Sequence, residues 1–185
     1  LEATVDALPE YTGVLYGQFM LTDAGPKVVE FNARFGDPEA MNVLPVMETP
    51  LLDVITAARD GESLPEPHFA NRATVCKYAV PAGYPTDPDS GAAIEVDEST
   101  VEAAAEAHGG DALLFYASVD ARDDGLFTTT SRSFAVVGVA DDITIAEVIA
   151  ADALEAAGDG LRVREDVGTA ALLESRVDHM ASLRN

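Results

Sequence analysis

Acidic side chains outnumber basic ones three to one in this chain, 33 Asp and Glu against 11 Lys and Arg, for a net charge of −22. Only Lys27 and Lys77 are lysines; the remaining cations are arginines. Self-repulsion of this size opposes a compact state, so the chain folds only where apolar segments recur with enough period to build a core. They do recur: 48% of the 185 residues are hydrophobic, and only 6% are aromatic, so the core is to be built mainly from Ala, Val and Leu. The same field repels nucleic acid and anionic membranes, and neither is an expected partner. Adaptation to high salt is the expectation for such a composition, because ions screen the repulsion. Thermal unfolding should therefore shift upward with added KCl; a midpoint that stays flat or falls overturns that expectation.

Cys76 is the single cysteine, so no internal disulfide is expected. No signal peptide and no run of 18 apolar residues is visible, and a cytoplasmic protein is expected. The chain opens on Leu1 rather than Met, which suggests a piece of a longer protein.

The first readable unit is a hairpin. Gly13–Leu21 is an apolar, partly β-branched run, Thr22-Asp23-Ala24-Gly25-Pro26 a turn cluster, and Lys27–Asn32 a returning strand. Symmetry about Ala24 would set Gln18 opposite Glu30. A loop follows over Ala33–Pro38, then a short helix over Glu39–Met47. Thr49 reads as an N-cap before Pro50, opening a helix that runs to Asp60 and stops at Gly61. Beyond a connector at Ser63–Asn71, a strand is expected over Ala73–Val80 and a loop over Pro81–Gly91. A helix over Glu98–His108 and a strand over Leu113–Val119 come next, then a hairpin of Leu126–Thr130 with Ser133–Ala140. Thr144-Ile145-Ala146-Glu147 has the form of a capping box opening a helix to about Ala157, and a last helix spans Thr169 to Leu183. The class is α+β, with an incomplete piece over residues 1–64 and a small mixed domain over 65–185. Two strands alone are marginal in water, so the first hairpin calls for neighbours.

Chemistry concentrates at the end of the first hairpin. Alternate residues of a strand share a face, so Val28, Glu30 and Asn32 are expected to point one way and Val29 and Phe31 the other. A carboxylate and an amide oxygen two positions apart are hard oxygen donors of the kind Mg2+ takes, with water and phosphate completing its shell. Arg34 offers a planar fork for phosphate or carboxylate, and Gly36-Asp37-Pro38 a tight turn. On spacing alone the commoner reading is a solvated edge strand with Arg34 as a salt-bridge partner.

The wording of the whole segment, Val28-Val29-Glu30-Phe31-Asn32-Ala33-Arg34-Phe35-Gly36-Asp37-Pro38-Glu39, closely resembles the signature of the phosphoribosylamine–glycine ligases of the ATP-grasp superfamily. Gly13-Val14-Leu15-Tyr16-Gly17 and Asn42-Val43-Leu44-Pro45 also resemble that family. So do Gly83-Tyr84-Pro85, Gly125-Leu126-Phe127-Thr128-Thr129, Val136–Ala140 and Arg164-Glu165-Asp166-Val167-Gly168. Phe115-Tyr116-Ala117-Ser118-Val119 and Thr130-Ser131-Arg132-Ser133 depart from many members, as do Val46 and Pro50, and look like the archaeal branch.

The resemblance implies the C-terminal part of an ATP-grasp domain, antiparallel strands plus helices, followed by a small mixed α/β domain. It implies a ligase of purine biosynthesis that uses ATP, glycine and 5-phosphoribosylamine, with Mg2+ or Mn2+ held by Glu30 and Asn32. Arg34 would orient a phosphate or the glycine carboxylate, and Asp37 would bond the amine substrate. Gly36, Asp37 and Pro38 would shape the substrate loop. The resemblance covers only the later portion of such an enzyme, so its missing N-terminal part is an expected partner and the chain alone is expected to be inactive. Another ATP-grasp carboxylate–amine ligase and a non-catalytic interaction domain are the competing readings.

Overall fold

The computed structural model describes residues 2–184. By contacts the chain divides into two units. One is drawn from the residues up to Ala70 together with those from Val177 on, and the other is Asn71–Arg176.

In the first unit, a short helix α1 (Glu2–Asp6) precedes the antiparallel ribbon of β1 (Tyr16–Thr22) and β2 (Gly25–Asn32). The turn is tighter than the cluster of turn residues suggests, because Thr22 already pairs with Gly25. That moves the hairpin centre by half a residue, and a bulge then moves it back: Phe19 pairs with Val28 while Gln18 pairs with Glu30. One extra residue on β2 absorbs the difference, as a β-bulge does. The expected Gln18–Glu30 register is therefore reached by two offsets that cancel. The bulge also corrects the expected face: paired residues share a side, so Val28 lies with Phe19, opposite Glu30 and Asn32. Phe31 joins Phe19 there, edge to face, with ring centres 6.0 Å apart.

After β2, α2 (Glu39–Val43) runs into a 3-10 turn at Leu44–Val46, then α3 (Leu51–Asp60). Thr49 does not cap α3; Pro50 holds that position. The Thr49 hydroxyl instead accepts from the His68 N–H at 2.9 Å and donates to the Glu66 carbonyl at 3.1 Å. A hydroxyl one residue too early serves the connector, which also bridges Met47 to Phe69.

The second unit is built on a four-stranded antiparallel sheet in the order β5-β8-β3-β9, formed by β3 (Ala73–Pro81), β5 (Asp111–Tyr116), β8 (Phe134–Ala140) and β9 (Leu161–Val163). Every residue of β8 is buried, which suits its place between two partners. Helices α4 (Glu98–His108) and α5 (Ile143–Ala153) carry the other half of the core. Ala146, Ile149, Ala150 and Ala153 of α5 are buried against Val75, Ala79 and Val136. Gly138 lets α5 come this close: a Cβ there would run into the Ala146 carbonyl and the Ala150 amide. A three-stranded sheet in the order β4-β7-β6 stands beside it, from β4 (Ala93–Ile94), β6 (Val119–Arg122) and β7 (Gly125–Thr128). Helix α6 (Ala170–Leu183) closes the described chain.

Two expectations are corrected here. The run before Ala140 does not form a hairpin with Leu126–Thr130; β7 pairs with β6 and β4, while β8 pairs with β3 and β5. An all-apolar strand gains most as the central strand of a sheet buried on both faces. Nor does the capping box form. Asp142 is the N-cap of α5, its carboxylate accepting from the Thr144 N–H at 2.7 Å. Those amide hydrogen bonds hold the Asp142 carboxyl below the usual carboxylate range.

Glu147 is thereby released for another task. Lys77 lies on the face of β3 that meets α5, between Val75 and Ala79, and is 2% exposed. Its Nζ donates to Glu147 Oε1 at 2.5 Å and to the Glu165 carbonyl at 2.9 Å. A buried ammonium is tolerable only with such partners.

Candidate active site

Tyr16 opens β1 directly across from Asn32, the last residue of β2, and Gln18 stands across from Glu30. These four side chains share one face of the ribbon's end. Asn32 Nδ2 donates to Glu30 Oε1 at 2.8 Å, and Glu30 is exposed. The two ends of an amide side chain are nearly equivalent in shape. A half-turn of the Asn32 amide would set its oxygen beside the Glu30 carboxylate, leaving two hard donors side by side at an open strand end. That fits a divalent cation that takes its other ligands from water and phosphate. Among the described residues, no cluster of three or more His, Cys, Asp or Glu is placed to hold a metal. Besides Glu30 and Asn32, the Gln18 side chain, across from Glu30 on the same face, offers a further amide oxygen at this strand end.

The chain then turns through Arg34–Pro38. Arg34 is exposed and donates from Nη1 to the Phe35 carbonyl at 2.7 Å, which folds its fork along the loop. Asp37 is exposed, and the Asp37–Pro38 peptide is cis. Pro38 precedes the first helical residue of α2, and the Ala40 N–H reaches back to the Gly36 carbonyl at 3.0 Å. The six residues singled out from the sequence, Glu30, Asn32, Arg34, Gly36, Asp37 and Pro38, are thus contiguous around one strand end and one turn.

Two further side chains stand at this turn without having been singled out. Tyr16 Oη donates to Glu39 Oε1 at 2.8 Å. Gly36 is buried beneath them; a Cβ on it would strike Glu39 Oε2 and meet Tyr16 Cε2 at 3.0 Å. The hydrogen bond to Glu39 holds the Tyr16 phenol above its ordinary range, with burial, the Glu39 charge and that of Glu30 adding to the effect and Arg34 opposing it. A tyrosine in an apolar strand start gives no local sign of this contact, since its partner lies 23 residues away. The pair borders a small apolar cavity of about 140 Å³ lined by Val14, Leu15, Phe35 and Val43 among others.

The motif near the C-terminus stands in the second unit. Arg164 binds Asp166 through two hydrogen bonds, 2.7 and 3.1 Å long. Each partner favours the other's charged form, so Arg164 titrates above and Asp166 below its ordinary range. Arg162 lies on β9, opposite Val80.

The model for the phosphoribosylglycinamide synthetase C domain matches residues 74–170, and that for the ATP-grasp (A) domain of the same synthetase matches residues 1–40. The chain belongs to the phosphoribosylglycinamide synthetase family. It is 49% identical to the phosphoribosylamine–glycine ligase of Methanosarcina barkeri, over 100% of this chain and 42% of that protein. It is 51% identical to the one of Methanococcoides burtonii, over 100% of this chain and 41% of that protein. A solved structure of the Thermotoga maritima phosphoribosylamine–glycine ligase superposes on 82% of this chain and 36% of its own length, with a TM-score of 0.65 at 24% identity, and so shares its fold. The chain spans about two-fifths of the length of these relatives. Its architecture is the C-terminal part of an ATP-grasp domain followed by the family's C domain.

Proposed function

We propose that this chain is the C-terminal part of an ATP-dependent carbon–nitrogen ligase that joins glycine to 5-phosphoribosylamine in purine biosynthesis. In this reaction the γ-phosphoryl group of ATP passes to the glycine carboxylate, giving glycyl phosphate and ADP. The amine of 5-phosphoribosylamine then displaces phosphate to form the amide. The observation that carries the reading is the Glu30–Asn32 donor pair on one face of the ribbon's end, next to the Arg34–Glu39 turn, in a chain of this family.

Glu30 and Asn32 are the residues to hold Mg2+ or Mn2+, whose positive charge offsets that of the phosphate oxygens. The Arg34 fork has the geometry to orient a phosphate or the glycine carboxylate. Gly36, Asp37 and Pro38 shape the loop on which the substrates meet, with Asp37 the acceptor for the amine. The chain needs no covalent nucleophile, because holding the reactants in line and offsetting charge does the chemistry. Its two parts correspond to an ATP-grasp portion over residues 1–64 and a C-terminal domain over 65–185. No described helix is long and apolar enough to cross a membrane. We assign the enzyme to the cytoplasm and, from its charge of −22, to a high-salt interior.

Assay of the isolated 185-residue chain tests the division of labour. It should form no glycinamide ribonucleotide from ATP, glycine and 5-phosphoribosylamine. Adding a polypeptide that supplies the remainder of the relatives' length should restore product. Product from the isolated chain, or an amide of a different carboxylate from the reconstituted enzyme, overturns the proposal. The exposed side chains of Phe19, Met20, Leu21, Val28, Val29 and Phe31 on the ribbon favour such docking.

A further inference from the structure

We infer that Tyr16 and Glu39 are positioning residues of this site: a clasp that fixes the end of β2 and the Arg34–Pro38 turn as one rigid piece. The inference rests on the assignment of Glu30 and Asn32 as the metal-holding pair, and it concerns two residues outside that pair.

Three observations support it. The clasp joins opposite ends of the segment: Tyr16 is paired through the backbone with Asn32, and through its phenol with Glu39, at the far side of the turn. The turn therefore cannot pivot about the strand end without breaking the 2.8 Å contact. Second, Gly36 in the middle of the turn is buried under Tyr16 and Glu39, so that a Cβ there would meet the Glu39 carboxylate and the Tyr16 ring and Glu39 would have to shift. The clasp thus lies over the loop as well as spanning it. Third, Tyr16 stands on the same face as Glu30 and Asn32, and close enough to Glu30 and Arg34 for their charges to act on it.

Glu39 also shows why the clasp matters for charge. A carboxylate loose at the start of α2 could swing towards a cation held by Glu30 and Asn32 and compete with phosphate oxygens for it. Held by the phenol, and lying over Gly36, Glu39 is turned to the loop. Residues that orient a metal's ligands commonly govern metal affinity or activity by about 10–100-fold.

The test uses the complete ligase carrying these residues, with Mg2+ as the titrated probe. Tyr16→Phe keeps the ring over Gly36 and removes only the hydroxyl. It is expected to raise the Mg2+ concentration for half-maximal turnover about tenfold and to lower kcat by a similar factor. The melting temperature should stay within a few degrees. Glu39→Ala should show the same losses, and the double variant should be no worse than either single one, because the pair acts as a unit. Glu39→Gln, whose amide oxygen still accepts from the phenol, should recover most of the activity. If Tyr16→Phe keeps the wild-type Mg2+ response and kcat while Glu30→Ala is inactive, the clasp is refuted and the metal pair stands. A lowered melting temperature with unchanged Mg2+ response marks a merely structural contact and refutes it too. An active Glu30→Ala enzyme removes the site on which the inference rests.

Discussion

Glu30→Ala in the complete ligase is expected to cut glycinamide ribonucleotide formation by about 10³-fold, the scale of loss when one preorganised electrostatic group is removed from a transition state. Glu30 is exposed at the strand end, where its carboxylate accepts from Asn32. Its removal should therefore leave folding nearly untouched, since surface changes of this kind fall within about 0.5 kcal/mol. The combination of intact melting and lost turnover separates a metal ligand from a structural residue. Glu30→Gln sharpens the point: the shape and the bond to Asn32 survive while the charge is lost, so its turnover should fall nearly as far. Steady-state ligation with 5-phosphoribosylamine generated in the assay is the measurement. Turnover within a few-fold of wild type in either variant would restore the plainer reading, a solvated edge strand whose Glu and Asn bond only each other.

Lys77→Ala is the second large effect, on stability instead of turnover. The Lys77 side chain is 1% exposed and that of Glu147 15%, so removing the ammonium leaves a carboxylate largely shut from water. It also strips the Glu165 carbonyl of its donor and opens space under α5. Breaking a buried pair from one side costs about 3–5 kcal/mol, and urea unfolding of the unit Asn71–Arg176 should show a loss in that range. The partner experiment distinguishes charge from packing. Lys77→Met with Glu147→Leu removes both charges at similar volume and should recover most of the loss, because the desolvation of both ions disappears with their attraction. A loss below about 1 kcal/mol for Lys77→Ala would mean that Glu147 reaches water freely once its partner is gone.

Both effects lie in places where local pattern and tertiary contact disagree. The helix over Glu98–His108 matches its expected bounds because an apolar stripe, the capping Asp97 and the stop at Gly109 are all local to it. The opening at Thr144-Ile145-Ala146-Glu147 looked equally local, yet Asp142 caps α5 and Glu147 turns inward to Lys77. A capping box and a buried ion pair ask for the same glutamate, and the buried ammonium is the costlier group to leave alone. The pairing of β8 failed for a related reason. Its apolar run showed a strand, but a strand does not carry the identity of its partners; burial on both faces drew it between β3 and β5.

By itself the sequence determined the first ribbon, the helices that open near Leu51, Glu98 and Ile143, the strands near Ala73 and Phe134, and the wording of the segment from Glu30 to Glu39, since these signals all reside in neighbouring residues. It also placed Gln18 across from Glu30, although by a symmetry that the ribbon attains only through a tighter turn and a bulge. It missed the short strands β4, β6 and β9, whose residues pair only through distant partners. Only the tertiary structure decided that Val28 faces away from Glu30, that Lys77 is buried on Glu147, and that Tyr16 reaches Glu39 over Gly36. Each of these depends on which residues meet across a register or a helix–sheet contact. Such meetings join positions tens of residues apart, and they are settled by the burial and pairing of the whole unit, which no local window contains.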